Sequence, residues 1–197
     1  MNRRIEICGG IASGKTTLAH ALEEYGFTVV YERIGDNPFL NDFYTKKDVD
    51  NTFETEITFT LLHYNWIKSS LDSENVVCDY SLFQDFCYGL NNLNRNDWEA
   101  YRKIYTYLLQ IIPPFDMLIY LKCSTDCLME RIRLRNREME QVISKDYLEN
   151  NISVIEDQLS QIPNVLVIDS ERYNFVDKDK KEVVNQIISY YKGNRIV

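Results

Sequence analysis

The run Gly9-Gly10-Ile11-Ala12-Ser13-Gly14-Lys15-Thr16 constrains this chain more than any other stretch. Its spacing is G-x-x-x-x-G-K-[ST], and it sits where such a loop must sit, after the strand-like run Ile5-Glu6-Ile7-Cys8 and before a helix-forming run. A polyphosphate carries several negative charges, so its site has to supply many donors at once, and a glycine-rich turn does so with backbone N–H groups. Gly9 and Gly14 lack a Cβ, which lets the chain adopt positive φ and close on a phosphate. A helix opening near Gly14 adds free N–H groups and the positive end of its dipole. Gly9 through Thr17 therefore form the candidate nucleotide-binding run, with Lys15 reaching the β- and γ-phosphates and the Thr16 hydroxyl holding Mg²⁺.

With 197 residues, the expectation is a single domain over 1–197 with one substantial core. The formal charge of -8 argues against nucleic acid or an anionic membrane surface as the main partner. An acidic chain that binds ATP must concentrate positive charge locally. The N-terminal apolar run is too short for a signal peptide or a membrane span, so the expected compartment is the cytoplasm. Five cysteines with only His20 and His63 show no zinc-ligand pattern and read as free thiols.

Five apolar runs read as strands: Ile5–Cys8, Phe27–Tyr31, Asn75–Asp79, Phe115–Leu121 and Asn164–Asp169. Between them lie helical stretches near 16–25, 52–71, 81–90, 98–112, from Thr125 through Arg137, 145–161 and 178–191. Alternation of nearly all-apolar strands with helices predicts an α/β fold, a five-stranded parallel sheet covered by helices on both faces. Two of the strands end in acids, Glu32 and Asp79, and a carboxylate at the carboxyl end of a parallel strand points toward the crevice where ligands bind. Asp79 fits a metal-side carboxylate. In the 52–71 helix the apolar stripe reads Phe53, Ile57, Thr60 or Leu61, and Tyr64, while Glu56 and His63, seven apart, share a neighbouring face and can look into one pocket.

Arg131, Arg133, Arg135 and Arg137 alternate along one helical stretch. A 3.6-residue period puts Arg131 and Arg135 on one side and Arg133 and Arg137 on the other. Planar guanidinium groups suit the equatorial oxygens of a phosphoryl group in transfer. The bland reading is a solvated helix whose arginines pair with Glu130, Glu138 and Glu140.

In the order and spacing of these motifs the chain resembles the deoxynucleoside kinase family. The resemblance covers the phosphate loop, Tyr31-Glu32, Asn37-Pro38-Phe39-Leu40 with Phe43-Tyr44, Asp79-Tyr80-Ser81, and a lid at about 131–145 that runs from Cys127 through Arg137-Glu138-Met139-Glu140 toward Tyr147-Leu148. It implies a P-loop kinase fold, ATP and Mg²⁺ as cofactors, a deoxynucleoside as acceptor and a homodimer. It makes Glu32 the general base for the sugar 5′-hydroxyl, Lys15, Arg131, Arg135 and Arg137 the phosphate ligands, and Thr16 and Asp79 the Mg²⁺ side. Tyr44 and Glu140 match the groups that hold the sugar 3′-hydroxyl.

The chain departs from the family at several positions. Tyr80 stands where an arginine usually follows the strand-three acid, and Arg33, Arg131 and Lys15 are the candidates to supply the missing charge. Arg33 itself replaces a proline. Glu56 stands where a glutamine commonly faces the base, and His63 where an arginine commonly lies, near Asp85. An ionised Glu56 only accepts hydrogen bonds, which would favour the adjacent donors of guanine and hence a purine. Two alternatives stay open: a nucleoside monophosphate kinase of the thymidylate kinase type, and a non-catalytic nucleotide-binding protein with the same fold.

Overall fold

The computed structural model describes residues 4–46 and 48–193. Its strands are β1 (Arg4–Gly9), β2 (Thr28–Val30), β3 (Val76–Cys78), β4 (Met117–Lys122) and β5 (Val165–Asp169). They form one parallel sheet in the order β2-β3-β1-β4-β5, with Ile5 opposite Val77 on one side and Met117 on the other. The helices are α1 (Lys15–Glu23), α2 (Leu40–Thr45), α3 (Thr52–Ser69), α4 (Leu82–Asn92), α5 (Arg95–Leu109), α6 (Thr125–Arg135), α7 (Lys145–Leu159) and α8 (Lys180–Gly193), with short 3-10 turns at Ile34–Asp36 and Glu138–Glu140.

The inner strands β1, β3 and β4 are apolar along most of their length because both faces are covered, whereas the edge strands β2 and β5 are partly exposed. Ile5 and Ile7 of β1, with Met117, Ile119 and Leu121 of β4, pack with Leu18 and Leu22 of α1 and Val183, Val184 and Ile187 of α8. Cys8, Leu118 and Tyr120 point the other way, packing with Phe83 and Cys87 of α4 and Ile155 of α7. The period of two along each strand makes this split between two cores.

β1 breaks the apolar rule at both residues that flank Ile5. Glu6 is fully buried; Arg4 Nε donates to its Oε1 at 2.9 Å, and the Leu82 N–H at the start of α4 donates to its Oε2 at 3.1 Å. Arg4 also donates from Nη2 to the Pro113 carbonyl at 2.9 Å. Burial pushes the Glu6 carboxyl up and the Arg4 guanidinium works against it. The pair therefore ties the first strand to the start of α4 and to the turn before β4.

On α3 the expected stripe Phe53, Ile57, Thr60 or Leu61, and Tyr64 is buried at Thr60 and half-buried at Phe53, Ile57 and Tyr64. Leu61 is 45% exposed, while Thr55, Glu56, Thr60, His63, Trp66 and Ile67 are buried. Part of that face, Thr55, Glu56 and His63, borders a cavity, while Trp66 and Ile67 pack into an apolar core. α6 also ends earlier than its arginine run: Asn136 adopts the left-handed conformation at φ 51°, ψ 40°, so Arg137 leaves the helical path.

Removing one partner of a buried ion pair leaves an uncompensated charge, so Arg4→Ala should destabilise the fold by roughly 3 kcal/mol or more. Urea unfolding checks this. Arg4→Met combined with Glu6→Leu should cost much less, since neither charge then remains buried.

Candidate active site

A cavity of about 760 Å³ opens at the carboxyl ends of the strands, and the loop 9–17 forms its floor. Gly14 caps α1 at φ 101°, in the region that favours glycine. At Gly9 a Cβ would meet Ser13 Oγ at 2.6 Å and the Leu121 carbonyl oxygen at 2.9 Å. The Gly9 N–H donates to Gln84 Oε1 at 3.0 Å, and Lys15 Nζ donates to the Gly9 and Gly10 carbonyls at 2.8 and 3.2 Å. Gln84 was not found from sequence. Its signal was the Ser81-x-x-Gln84 spacing of a helix start, and Ser81 Oγ does accept the Gln84 N–H at 3.0 Å.

The strand ends deliver two acids side by side. The Glu32 N–H donates to Asp79 Oδ1, and Thr16 hydrogen-bonds the same carboxylate. Burial pushes Asp79 up, and the backbone and Thr16 bonds pull it back. Oxygen donors from Thr16 and Asp79 suit a hard divalent cation.

Glu32 is also the end of a chain of three side chains. His63 Nε2 lies 3.2 Å from Glu32 Oε1, and His63 Nδ1 lies 2.8 Å from Asp85 Oδ2. Tyr80 is buried and stacks on the imidazole, with ring centroids 4.1 Å apart and planes 15° apart. Burial opposes a charge on His63, but the Asp85 and Glu32 carboxylates outweigh it and hold the imidazolium up to about 10. Burial would raise Glu32, yet His63, Lys15 and Arg137 together hold it below the usual carboxylate range.

Glu56 lines the cavity from the same helix face and is 4% exposed. Asn92 Nδ2 donates to its Oε1 at 2.7 Å and also lies 3.3 Å from the Tyr147 hydroxyl. Burial pushes the Glu56 carboxyl up to about 8 against the Asn92 bond. The shift is toward the neutral acid, the opposite direction from the ionised carboxylate expected from the sequence. Tyr44, whose hydroxyl is raised by burial, shares the cavity wall with Tyr147 and Glu140.

The lid arginines divide their work. Arg131 Nη1 donates to the Ser13 carbonyl at 3.2 Å, and its Nη2 donates to the Ser170 carbonyl at 2.6 Å, so it clamps the phosphate loop to the turn after β5. Arg135 and Arg137 both pair with the buried Glu140, the latter at 3.3 Å. The helical period had set Arg137 opposite Arg135. The left-handed Asn136 brings them together at the cavity, which Arg133 does not line. Cys123, Cys127 and Glu171 also come within 4.8 Å of one another, a grouping the spacing did not suggest. Glu171 there accepts the Ser124 N–H, and the neighbouring Arg131 charge makes the place unfavourable for a cation.

A deoxynucleoside kinase family profile matches residues 5–191. The chain belongs to the deoxynucleoside kinase family. It is an enzyme that phosphorylates deoxynucleosides with ATP. It is 32% identical to a deoxyguanosine kinase of Bacillus subtilis over 188 residues, covering 87% of this chain and 88% of that protein. It is 29% identical to a deoxyadenosine kinase of Dictyostelium discoideum over 201 residues, covering 98% and 81%. In fold it is similar to a deoxyadenosine kinase from M. mycoides solved with dCMP and dCDP, at TM-score 0.81 and 24% identity, covering 96% of this chain and 99% of that one. Among the described residues no helix is long and apolar enough to cross a membrane.

The close approach at Gly9 leaves no room for a methyl group. Gly9→Ala should weaken nucleotide binding by about tenfold or more, read by titration calorimetry, where tenfold corresponds to about 1.4 kcal/mol. Gly35→Ala, where nothing lies within 4 Å of the new Cβ, is the control.

Proposed function

We propose that Glu32 is the general base that takes the proton from the 5′-hydroxyl of a deoxynucleoside, purine preferred, in a salvage reaction. The observation that carries this reading is that Glu32 lines the same cavity as the phosphate loop, with its backbone N–H bonded to the Asp79 carboxylate behind it. An alcohol is a poor nucleophile, and a carboxylate at hydrogen-bond distance orients it and removes its proton. Lys15 and the loop N–H groups hold the triphosphate of ATP. Arg135 and Arg137 exchange Glu140 for phosphoryl oxygens, and Arg131 fixes the loop they act on. Thr16 and Asp79 would hold Mg²⁺, which supplies neutralisation of the charge on the transferring phosphate. Tyr44 and Glu140 lie together where a sugar 3′-hydroxyl would be held.

A monophosphate acceptor fits less well. Such a substrate brings a second phosphate to the acceptor end, beside Glu32. Arg33, the residue that could receive it, instead lies 3.2 Å from Asp36 and stacks its guanidinium 4.8 Å over the Trp66 ring. Turnover on deoxynucleosides compared with their monophosphates, both with ATP and Mg²⁺, tests the reading. Faster turnover of the monophosphates would reject it.

A cytoplasmic homodimer belongs to the same proposal. It is supported by the outer faces of α3 and α5, where Leu61, Ile104 and Tyr107 are 45%, 37% and 62% exposed. Sedimentation that finds only monomer would count against it.

Glu56 faces the base in this reading. Below about pH 8 its neutral carboxyl both donates and accepts, as an amide does, and matches adenine or guanine. Above it the carboxylate only accepts, which suits the adjacent N1–H and amine of guanine and opposes the adenine N1 lone pair. The ratio of kcat/KM for deoxyadenosine to that for deoxyguanosine should therefore fall between pH 7 and pH 9. Glu56→Gln should flatten that dependence; an equal slope in the variant would remove Glu56 from base reading. Glu32→Ala should cut turnover by roughly 10²-fold or more while ATP affinity stays near that of the native enzyme.

A further inference from the structure

Glu32 needs a cation beside it. A carboxylate on the wall of a cavity is drawn toward nearby water or toward the loop lysine unless something fixes it, and this chain has no arginine at position 80. The Lys15 charge acts on it from nearby, but none of the three expected substitutes is bonded to it. Arg33 points outward, with its side chain 63% exposed; Arg131 is engaged by Ser13 and Ser170; and Lys15 Nζ is bonded to two loop carbonyls. Among the described residues the cationic side chain bonded to the Glu32 carboxylate is His63.

We infer that His63, anchored by Asp85 and backed by the Tyr80 ring, is a positioning residue that holds Glu32 toward the acceptor hydroxyl. The inference rests on Glu32 acting as the base. The geometry supports it from each side. His63 is 3% and Asp85 8% exposed, so both sit behind the more open Glu32, at 24%. Asp85 meets Nδ1 with both oxygens, at 3.0 and 2.8 Å, which leaves Nε2 aimed at Glu32. A planar ring of matched orientation lies flat on the imidazole, and Phe59 and Trp66 close its other sides at centroid distances of 5.7 and 5.6 Å. The imidazole cannot turn without losing both carboxylates and the stack. A tyrosine at 80 thus suits this arrangement better than an arginine, since a guanidinium there would lie against the imidazolium.

Both nitrogens of His63 are taken by protein carboxylates, so neither remains to donate to the base. Base contact at this end falls to Glu56 and its Asn92 partner. His63 therefore acts on turnover rather than on the choice of nucleoside.

The test is a kinetic cycle on the full chain, with deoxyguanosine, ATP and Mg²⁺. His63→Gln keeps a donor but not the charge, and should lower kcat by roughly 10-fold to 100-fold with the KM for ATP unchanged. Asp85→Asn, which does not touch Glu32, should lower kcat in the same direction by a smaller factor. Placed in the Glu32→Ala background, His63→Gln should remove nothing further from the residual turnover, because its effect passes through the absent carboxylate. Additive losses, a kcat within twofold of the native value in both single variants, or an effect confined to the nucleoside KM would overturn the inference. If Glu32→Ala itself turns over normally, the base assignment falls instead, and the two failures are told apart.

Discussion

The hydrogen bond from the Glu32 N–H to the Asp79 carboxylate joins the ends of two neighbouring parallel strands, and the chemistry of the site depends on it. It fixes Glu32, the proposed base, at a set distance from Asp79, the carboxylate proposed for the metal side. Because β3 lies next to β1, that pair stands directly over the loop 9–17. A slip of one residue in either strand would turn one of the acids into the sheet. β3 is buried along its whole length and β2 pairs with it in register from Thr28 opposite Val76, so the precision of the site comes from the core beneath it.

Burial also decides what the ionisable groups are. Glu56 and Glu32 line one cavity from positions that differ mainly in their partners. Glu56 has a neutral amide from Asn92 and is pushed toward the neutral acid, whereas Glu32 has an imidazolium, a lysine and an arginine and stays ionised. The two carboxyl groups are thereby shifted in opposite directions. One can donate to a base, and the other can accept a proton from an alcohol. His63 links the two halves, as it sits on the helix face that carries Glu56 and bonds the acid that ends β2.

Much of the fold was legible because the patterns were local. The order of strands and helices, the phosphate loop and the two strand-end acids each follow from apolar runs and short spacings. Elsewhere the period misled. On α3 Leu61 faces outward, while Glu56 and His63 line the cavity and Thr60 bonds Tyr101 inside. Arg137 joins Arg135 because one left-handed residue, Asn136, breaks the helical count. The Arg4–Glu6 pair inside β1 and the Gln84 bond to Gly9 left little trace, since their partners lie 75 or more residues away in Leu82, Pro113 and Gly9.

The residues alone determined that a glycine-rich phosphate-loop motif follows the first strand, that acids follow the second and third strands, and that arginines gather in one late segment. Those features need only neighbours along the chain. The tertiary structure decided which cationic side chain bonds Glu32, that burial raises Glu56, and which arginines face the cavity. Charge states and partners are set by distance and desolvation across the fold, and neither quantity is written in the spacing of a motif.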